Sequence, residues 1–381
     1  MWPYDESVTK LILRVLYSMN TVFFLLLQII TIFNSEVFLD LLIALAPGIF
    51  LELPIIVKFH LCWIKDDYYK ESFDHMRIDW GRLKEAEKLP LKQAYGEFVF
   101  YSKFLFLFAY APSVLIMVFL FFPKITSFDV PLNQSRPIDL NFPIEYFVDH
   151  NKYFYPVIIH ISLSVLLLST VQSGVEVLNW IILLHMMGMF HLLGYLLEHL
   201  FDKPENTNDN IDLNTVYYGR IVHIIDVHKR NLKLGDILAR CYLESGIIQM
   251  FLIILCITSI LLKLKRIVSP IEDIRVVIGH CTFSSSVISA TYLLLLIPQK
   301  VHDTSSDMFI KIYCGRWYMA PIKSQKLLLI PMQRYMKPYK LQYKTLIIAY
   351  SQTFAKVSKS STHEISTKSV ESILRNNFDS R

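Results

Sequence analysis

Glycine is scarce in this chain, 11 in 381 residues, and charged residues make up only 19% of it. Each shortage excludes a class of answer. A secondary transporter needs Gly- or Pro-broken apolar segments in two related halves, and no internal repeat is found here. So little charge beside 53% hydrophobic residues and a mean hydropathy of +0.39 excludes an ordinary soluble domain. The five cysteines, Cys62, Cys241, Cys256, Cys281 and Cys314, are widely spaced and form no CxxC pair. Neither a zinc knuckle nor a disulfide framework is implied, and they read as small apolar fillers. There is no phosphate-binding loop, and no nucleophile, base and orienting residue can be assembled from spacing, so an enzyme is not expected and no cofactor is called for. His185, His191 and His199 recur at spacings of six and eight, and His223 and His228 at five. None of these is the i, i+4 pair of a helix-borne zinc site, so no metal is expected. A net charge of +5 says little by its total and gives no reason to expect a nucleic acid partner.

What the sequence does have is long apolar runs. Leu11–Phe33 is long enough to cross about 30 Å of hydrocarbon at about 1.5 Å per residue, and it lacks the small-x-small site of a cleaved signal. Arg14 sits where it can snorkel. A three-residue turn leads to a second span, Val37–Val57, which carries Asp40, Pro47, Gly48, Glu52 and Pro54. The charged stretch Lys58–Glu97 reads as a partly amphipathic helix outside the bilayer. A third span, Phe98–Phe122, precedes a proline-rich loop in which Asn133, Gln134 and Ser135 form a glycosylation acceptor. The fourth span starts at Phe154, is free of charge to Val175, and keeps an apolar pattern to Leu200. As one helix that segment would measure about 70 Å, so its second half must leave the membrane. Phe201–Asn214 is the most disorder-like piece, and Thr215–Arg240 returns to helical patterning. Ser245–Leu262 and Val276–Ile297 are the fifth and sixth spans. A seventh, Leu341–Val357, is only half apolar and needs neighbours or water on one face. The expectation is an all-α polytopic membrane protein with seven transmembrane helices.

Orientation follows from the basic residues. With the N-terminus inside, inner segments carry 24 Lys and Arg against 7 in the outer loops. The positive-inside rule then puts the N-terminus in the cytoplasm and the C-terminus outside, with Asn133 on the outer face where a glycan can be added. Within the spans, Lys103 reads as snorkelling, whereas Asp40 and Glu52 are open to either a structural or a functional reading. A G-protein-coupled receptor is disfavoured by this topology, and its third span would not end FFPKITSFD.

Near the C-terminus stand Gln299, Asp303, Ser305 and Ser306, then Ile312 and Tyr313, Trp317 and Tyr318, Gln325 to Leu329, Pro338, and finally Ser351, Thr353 and Phe354. In this order they resemble the C-terminal signature of insect odorant receptors. The motif resemblance covers about Pro298–Ser361, and the likeness in topology and loop lengths covers the whole chain. Two departures stand out. Pro298 replaces a usual glycine and would bend or end the sixth helix. Residues 361–381 form an atypical polar tail that cannot complete a lipid-facing span.

The resemblance implies a plasma-membrane, ligand-gated, non-selective cation channel of four subunits. This chain would be a tuning subunit, working with an obligate co-receptor of the same fold and gated by a small volatile organic ligand. The non-conducting alternative is a membrane ligand-binding or scaffold subunit. Residues 1–300 would be the sensing bundle of six spans with cytoplasmic extensions, 301–340 the cytoplasmic anchor, and 341–360 the pore helix. There Ser351, Thr353 and Ser358 face water, and Phe354 and Val357 form an apolar constriction. The ligand pocket would lie between outer span halves: Phe38 and Leu42 on the second, Tyr110, Ser113, Met117 and Phe121 on the third, Tyr155, Ile159 and His160 on the fourth. Cys281, Phe283 and Ser284 on the sixth would complete it. Aromatic and Met positions in spans are otherwise simply helix packing. In the anchor, Tyr313, Trp317, Tyr318, Leu327 and Leu328 are too apolar to stay solvated beside so many basic residues. Either they contact adjoining subunits or the two aromatics at 317 and 318 sit at the lipid headgroups.

Overall fold

The structure is a computed structural model. It describes residues 4, 7–126, 144–149, 152–202, 213–267, 274–315, 317–319, 322–337, 339, 342–343 and 346–347. Asn133, the expected pore residues Ser351, Thr353, Phe354, Val357 and Ser358, and the tail 361–381 lie outside the described residues.

Among the described residues eight α-helices carry the fold: α1 (Val8–Asn34), α2 (Phe38–Ile64), α3 (Asp66–Arg82), α4 (Leu89–Thr126), α5 (Phe154–Glu198), α6 (Leu213–Ile267), α7 (Ile274–Cys314) and α8 (Ile322–Tyr335). Six of the described helical stretches are long and apolar enough to cross a membrane. Helix α1 starts where Ser7 accepts a hydrogen bond from the backbone N–H of Lys10, an N-cap. The turn to α2 is tight, and the Ser35 hydroxyl accepts from the Val37 N–H at 3.0 Å. Pro47 and Pro54 sit inside α2, and its backbone is supported from α6: Cys256 donates to the Pro47 carbonyl and Lys263 to that of Ala44.

Helix α5 takes the single-helix form that its apolar pattern allowed, and two segments expected to be interrupted are continuous as well. Helix α5 runs unbroken for 45 residues, α6 joins the expected amphipathic helix and fifth span into one of 55, and α7 passes through Pro298 to Cys314 for 41. Pro298 therefore does not end the sixth span. The missing Pro N–H removes only one hydrogen bond from a helix held on several sides. The projecting lengths of α5, α6 and α7, with α3 and α8, enclose the largest core, which includes Met76, Trp180, Phe190, Val227, Leu234, Met308, Leu328 and Tyr335. Helix α4 joins the same core through Leu91, Ala94 and Leu105. A second cluster at the opposite end joins α1, α2, α4 and α5 through Phe24, Leu27, Leu45, Leu120, Phe154, Ile158 and Ile161.

The expected seventh helix from Leu341 is corrected at its start. Gln342–Tyr343 and Leu346–Ile347 pair as two antiparallel strands, β1 and β2, rather than as helix.

Candidate functional site

Four groupings of polar side chains among the described residues join the helices of the bundle. Between α4 and α5 runs a seam of hydroxyls. Ser113 and Ser169 are hydrogen-bonded at 2.6 Å, Tyr110 and Thr170 at 2.8 Å, and the α7 residue Ser286 donates to the carbonyl of Phe108. This seam holds two residues expected to line a ligand pocket. Met117, on the same helix, is half-buried; Phe121 lies further along α4.

The second place surrounds His160 on α5. Its Nδ1 is 2.7 Å from the Tyr146 phenol, and the rings of Phe23 and Phe24 stand edge-on and tilted at 5.4 and 6.2 Å. One turn along, Asn20 of α1 donates to Ser164 at 3.1 Å. Tyr155 and Ile159 do not join it. They are exposed on the face of α5 opposite the buried Phe154, Val157, Ile158 and Ile161. Phe38 and Leu42 are also exposed, and Phe38 packs on Phe33 beside the α1–α2 turn with ring centroids 6.0 Å apart. On α7, Phe283 packs on Cys256 and Val287 with Phe50 and Leu51 of α2, Ser284 is half-buried, and Cys281 is exposed. The expected residues whose side chains are described are distributed over several contacts. Ser113 with Tyr110, His160, and Phe283 belong to three neighbouring contacts of the bundle.

The other two places carry charge that spacing did not reveal. Lys58 of α2 and Glu176 of α5 form a buried ion pair, and the same Glu176 Oε1 accepts from Gln172 at 3.1 Å and from Gln249 of α6 at 3.3 Å. The Lys58 ammonium also lies over the Tyr242 ring, 5.6 Å from its centroid. Two ions inside a bundle cost several kcal/mol each to desolvate, so geometry this crowded is what makes the pair tolerable. The only sequence signal was that each charge stands alone at the end of an apolar run. Glu52 faces the bundle interior and accepts from Gln28 of α1 at 2.7 Å, whereas Asp40 and Lys103 are exposed.

In the large core, Asp79 of α3 receives the Arg230 guanidinium at 2.9 Å and His185 Nε2 at 3.2 Å, and His185 Nδ1 meets Tyr95 at 3.3 Å. With Nε2 as donor, Nδ1 is left as acceptor for the phenol, which itself accepts from Trp80 Nε1 at 3.5 Å. His185 is a hydrogen-bonding hub of four helices. Among the described residues no group of His, Cys, Asp and Glu could hold a metal ion.

The expected assembly residues separate into two sets. Leu328 is 1% exposed, sealed by its own chain, which corrects its assignment to a subunit contact. Leu327 and Trp317 pack partly against the same core, with Trp317 Nε1 donating to the Tyr313 carbonyl at 3.2 Å. Tyr313 and Tyr318 are exposed, at 61% and 66%.

Six described helical stretches of membrane-crossing length and apolarity, packed into one bundle, define a multi-pass, all-helical membrane protein. The profile of the 7tm Odorant receptor family matches residues 45–362, and the chain belongs to that family. In fold it is similar to the insect olfactory receptor OR5 from Machilis hrabei, at a TM-score of 0.75 and 12% identity, covering 96% of this chain and 92% of the other. The same receptor in complex with eugenol superposes with a TM-score of 0.74 and 12% identity, over 97% and 94% of the two chains. A search of curated proteins finds no match.

Proposed function

We propose that this chain is the odorant-tuned subunit of a ligand-gated, non-selective cation channel in the plasma membrane, assembled as a heterotetramer with a co-receptor of the same fold. The observation that carries this reading is the family match over residues 45–362, on a fold shared from end to end with an olfactory receptor. One solved structure of that receptor holds eugenol, a small volatile, and by analogy the ligand of this chain is a small volatile organic molecule. An apolar bundle with a few hydroxyls suits such a ligand, because burial supplies affinity and one or two hydrogen bonds supply orientation. The seam in which the expected pocket residues Tyr110 and Ser113 meet Thr170 and Ser169 offers such hydroxyls.

In this reading the N-terminus is cytoplasmic and the C-terminus extracellular. Residues 1–300 sense the ligand, 301–340 assemble the subunits, and 341–360 line the pore through Ser351, Thr353, Phe354, Val357 and Ser358. The exposed Tyr313 and Tyr318 are the aromatics available for contact with a neighbouring subunit. Expression with and without a co-receptor, recording current across a panel of volatiles, tests the proposal. Ligand-dependent current only with the co-receptor is expected. Surface delivery without current under either condition would favour a non-conducting binding or scaffold subunit.

A further inference from the structure

The residues that lead into α5 are held across the end of the bundle at three points. Ile144 is 3% exposed and sits in the cluster with Phe24, Leu27, Phe154 and Ile158. The Glu145 N–H donates to the Thr31 hydroxyl of α1 at 2.9 Å, and the Tyr146 phenol meets His160 Nδ1 of α5 at 2.7 Å. Beyond these the segment turns outward. Phe147 and Val148 are 57% and 40% exposed, and Phe147 has a φ of 56°, with its N–H tied to Glu145 Oε1 at 2.9 Å. A bulky residue with positive φ is strained and persists only where its surroundings hold it.

The contact at His160 has the chemistry of a binding site with its occupant supplied by the chain itself. A half-buried imidazole beside the rings of Phe23 and Phe24 and the packed end of α5 is shielded from part of the solvent, so a hydrogen-bond partner for its Nδ1 is favourable. The partner is a phenol, whose ring stands edge-on to the imidazole with centroids 5.7 Å apart. Burial pushes the Tyr146 phenol up from its ordinary value, so it keeps its proton for the bond. A free molecule carrying the same group, a hydroxyl on one aromatic ring, would restore both the hydrogen bond and the ring contact once Tyr146 withdrew. It would also release the strained turn at Phe147.

We propose that residues 144–149 are a displaceable strap, and that the Tyr146 phenol on His160 Nδ1 occupies the place of a small aryl alcohol. This rests on the ligand-receptor reading above and names a ligand class and a subsite for it. Because ligand and strap compete for one nitrogen, weakening the strap strengthens apparent ligand affinity by the population it frees.

The test uses the full chain in phosphatidylcholine nanodiscs, with empty nanodiscs to subtract partition. The probes are 4-ethylphenol and its methyl ether, 4-ethylanisole, which cannot donate a hydrogen bond. By calorimetry, Tyr146→Phe should bind 4-ethylphenol about fivefold more tightly than the unmodified chain, the size set by one lost hydrogen bond, with no matching gain for the ether. A second measurement needs no change at Tyr146. With the exposed Cys281 and Cys314 replaced by serine, maleimide labelling of Ile144→Cys should accelerate when 4-ethylphenol is added. Equal or weaker phenol affinity in Tyr146→Phe, no phenol binding to either chain, or an unchanged labelling rate at saturating phenol would overturn the proposal. None of these readings depends on current. A silent channel therefore leaves the strap standing, and a working channel that fails them sinks the strap alone.

Discussion

Tyr335 of α8 is hydrogen-bonded to His228 of α6 through a phenol-to-Nδ1 contact of 2.6 Å inside the large core. Burial, with the Arg334 charge adding to it, pulls His228 down from its ordinary 6.5 to about 4, and burial pushes the Tyr335 phenol up. Both groups are neutral at pH 7. Between pH 6.5 and 4 the unfolded chain takes up a proton at His228 that the folded chain excludes, so stability rises with pH across that window. It is fully present above pH 6.5 and falls as the solution is acidified. Allowing for residual solvent, the change is about 2–3 kcal/mol. Thermal unfolding in nanodiscs from pH 7.5 to 4.5 should show the decline, and His228→Gln should flatten it.

The Lys58–Glu176 pair should behave as one unit. Lys58→Met or Glu176→Leu alone leaves the other charge buried without a counter-ion and should destabilise the chain by about 3–5 kcal/mol. The double variant should lose much less. A double-mutant cycle on unfolding temperature measures the coupling, and additive losses would mean that the ions act independently.

Leu328 and Tyr318 lie close in sequence and differ in what they touch. Leu328→Ala should cost about 2–5 kcal/mol of folding stability, because it empties a site sealed by α6 and α7. Tyr318→Ala should leave the unfolding of the isolated chain within about 0.5 kcal/mol and instead weaken co-purification with a tagged partner subunit. A large drop in stability for Tyr318→Ala would remove it from the assembly surface.

Two glycines of α6 should respond oppositely to alanine. A Cβ at Gly235 would lie 2.1 Å from the Tyr339 hydroxyl and 2.7 Å from Met186 Cε, so Gly235→Ala must displace the Tyr339 ring and should destabilise by about 1–3 kcal/mol. At Gly219 nothing lies within 4 Å, and there alanine should stabilise the helix by up to about 1 kcal/mol. Chemical denaturation of the two variants side by side checks both signs.

The six apolar spans were legible because hydrocarbon thickness fixes how many apolar residues a helix must supply, and α1 and α2 begin and end within a turn or two of the runs read from composition. Helix continuity was not legible. Arg240 and Glu244 mark a change of polarity on α6, yet a change of solvent need not break a backbone that bonds within itself. Nor was Lys58 legible as a core residue. It reads as the first charge of a cytoplasmic segment, and only a partner 118 positions away explains its burial. For the site, Tyr110 and Ser113 were recognisable as hydroxyls on an aromatic span, but their partners on α5 come from tertiary packing. That Tyr155 and Ile159 lie on the exposed face of α5 was not legible, because one turn offers both an inner and an outer face and an all-apolar helix carries no amphipathic signal to tell them apart.

The unbroken run of α5 makes it a shaft shared by two environments. His160 near one end is gripped by Tyr146, and His185, 25 residues on, is gripped by Asp79 and Tyr95. The two imidazoles are thus about 37 Å apart along one continuous helix. A single element therefore carries both the contact with the residues that lead into it and the contact with a socket lined by α3, α4 and α6, so a break in α5 between positions 160 and 185 would sever two attachments that one backbone now joins.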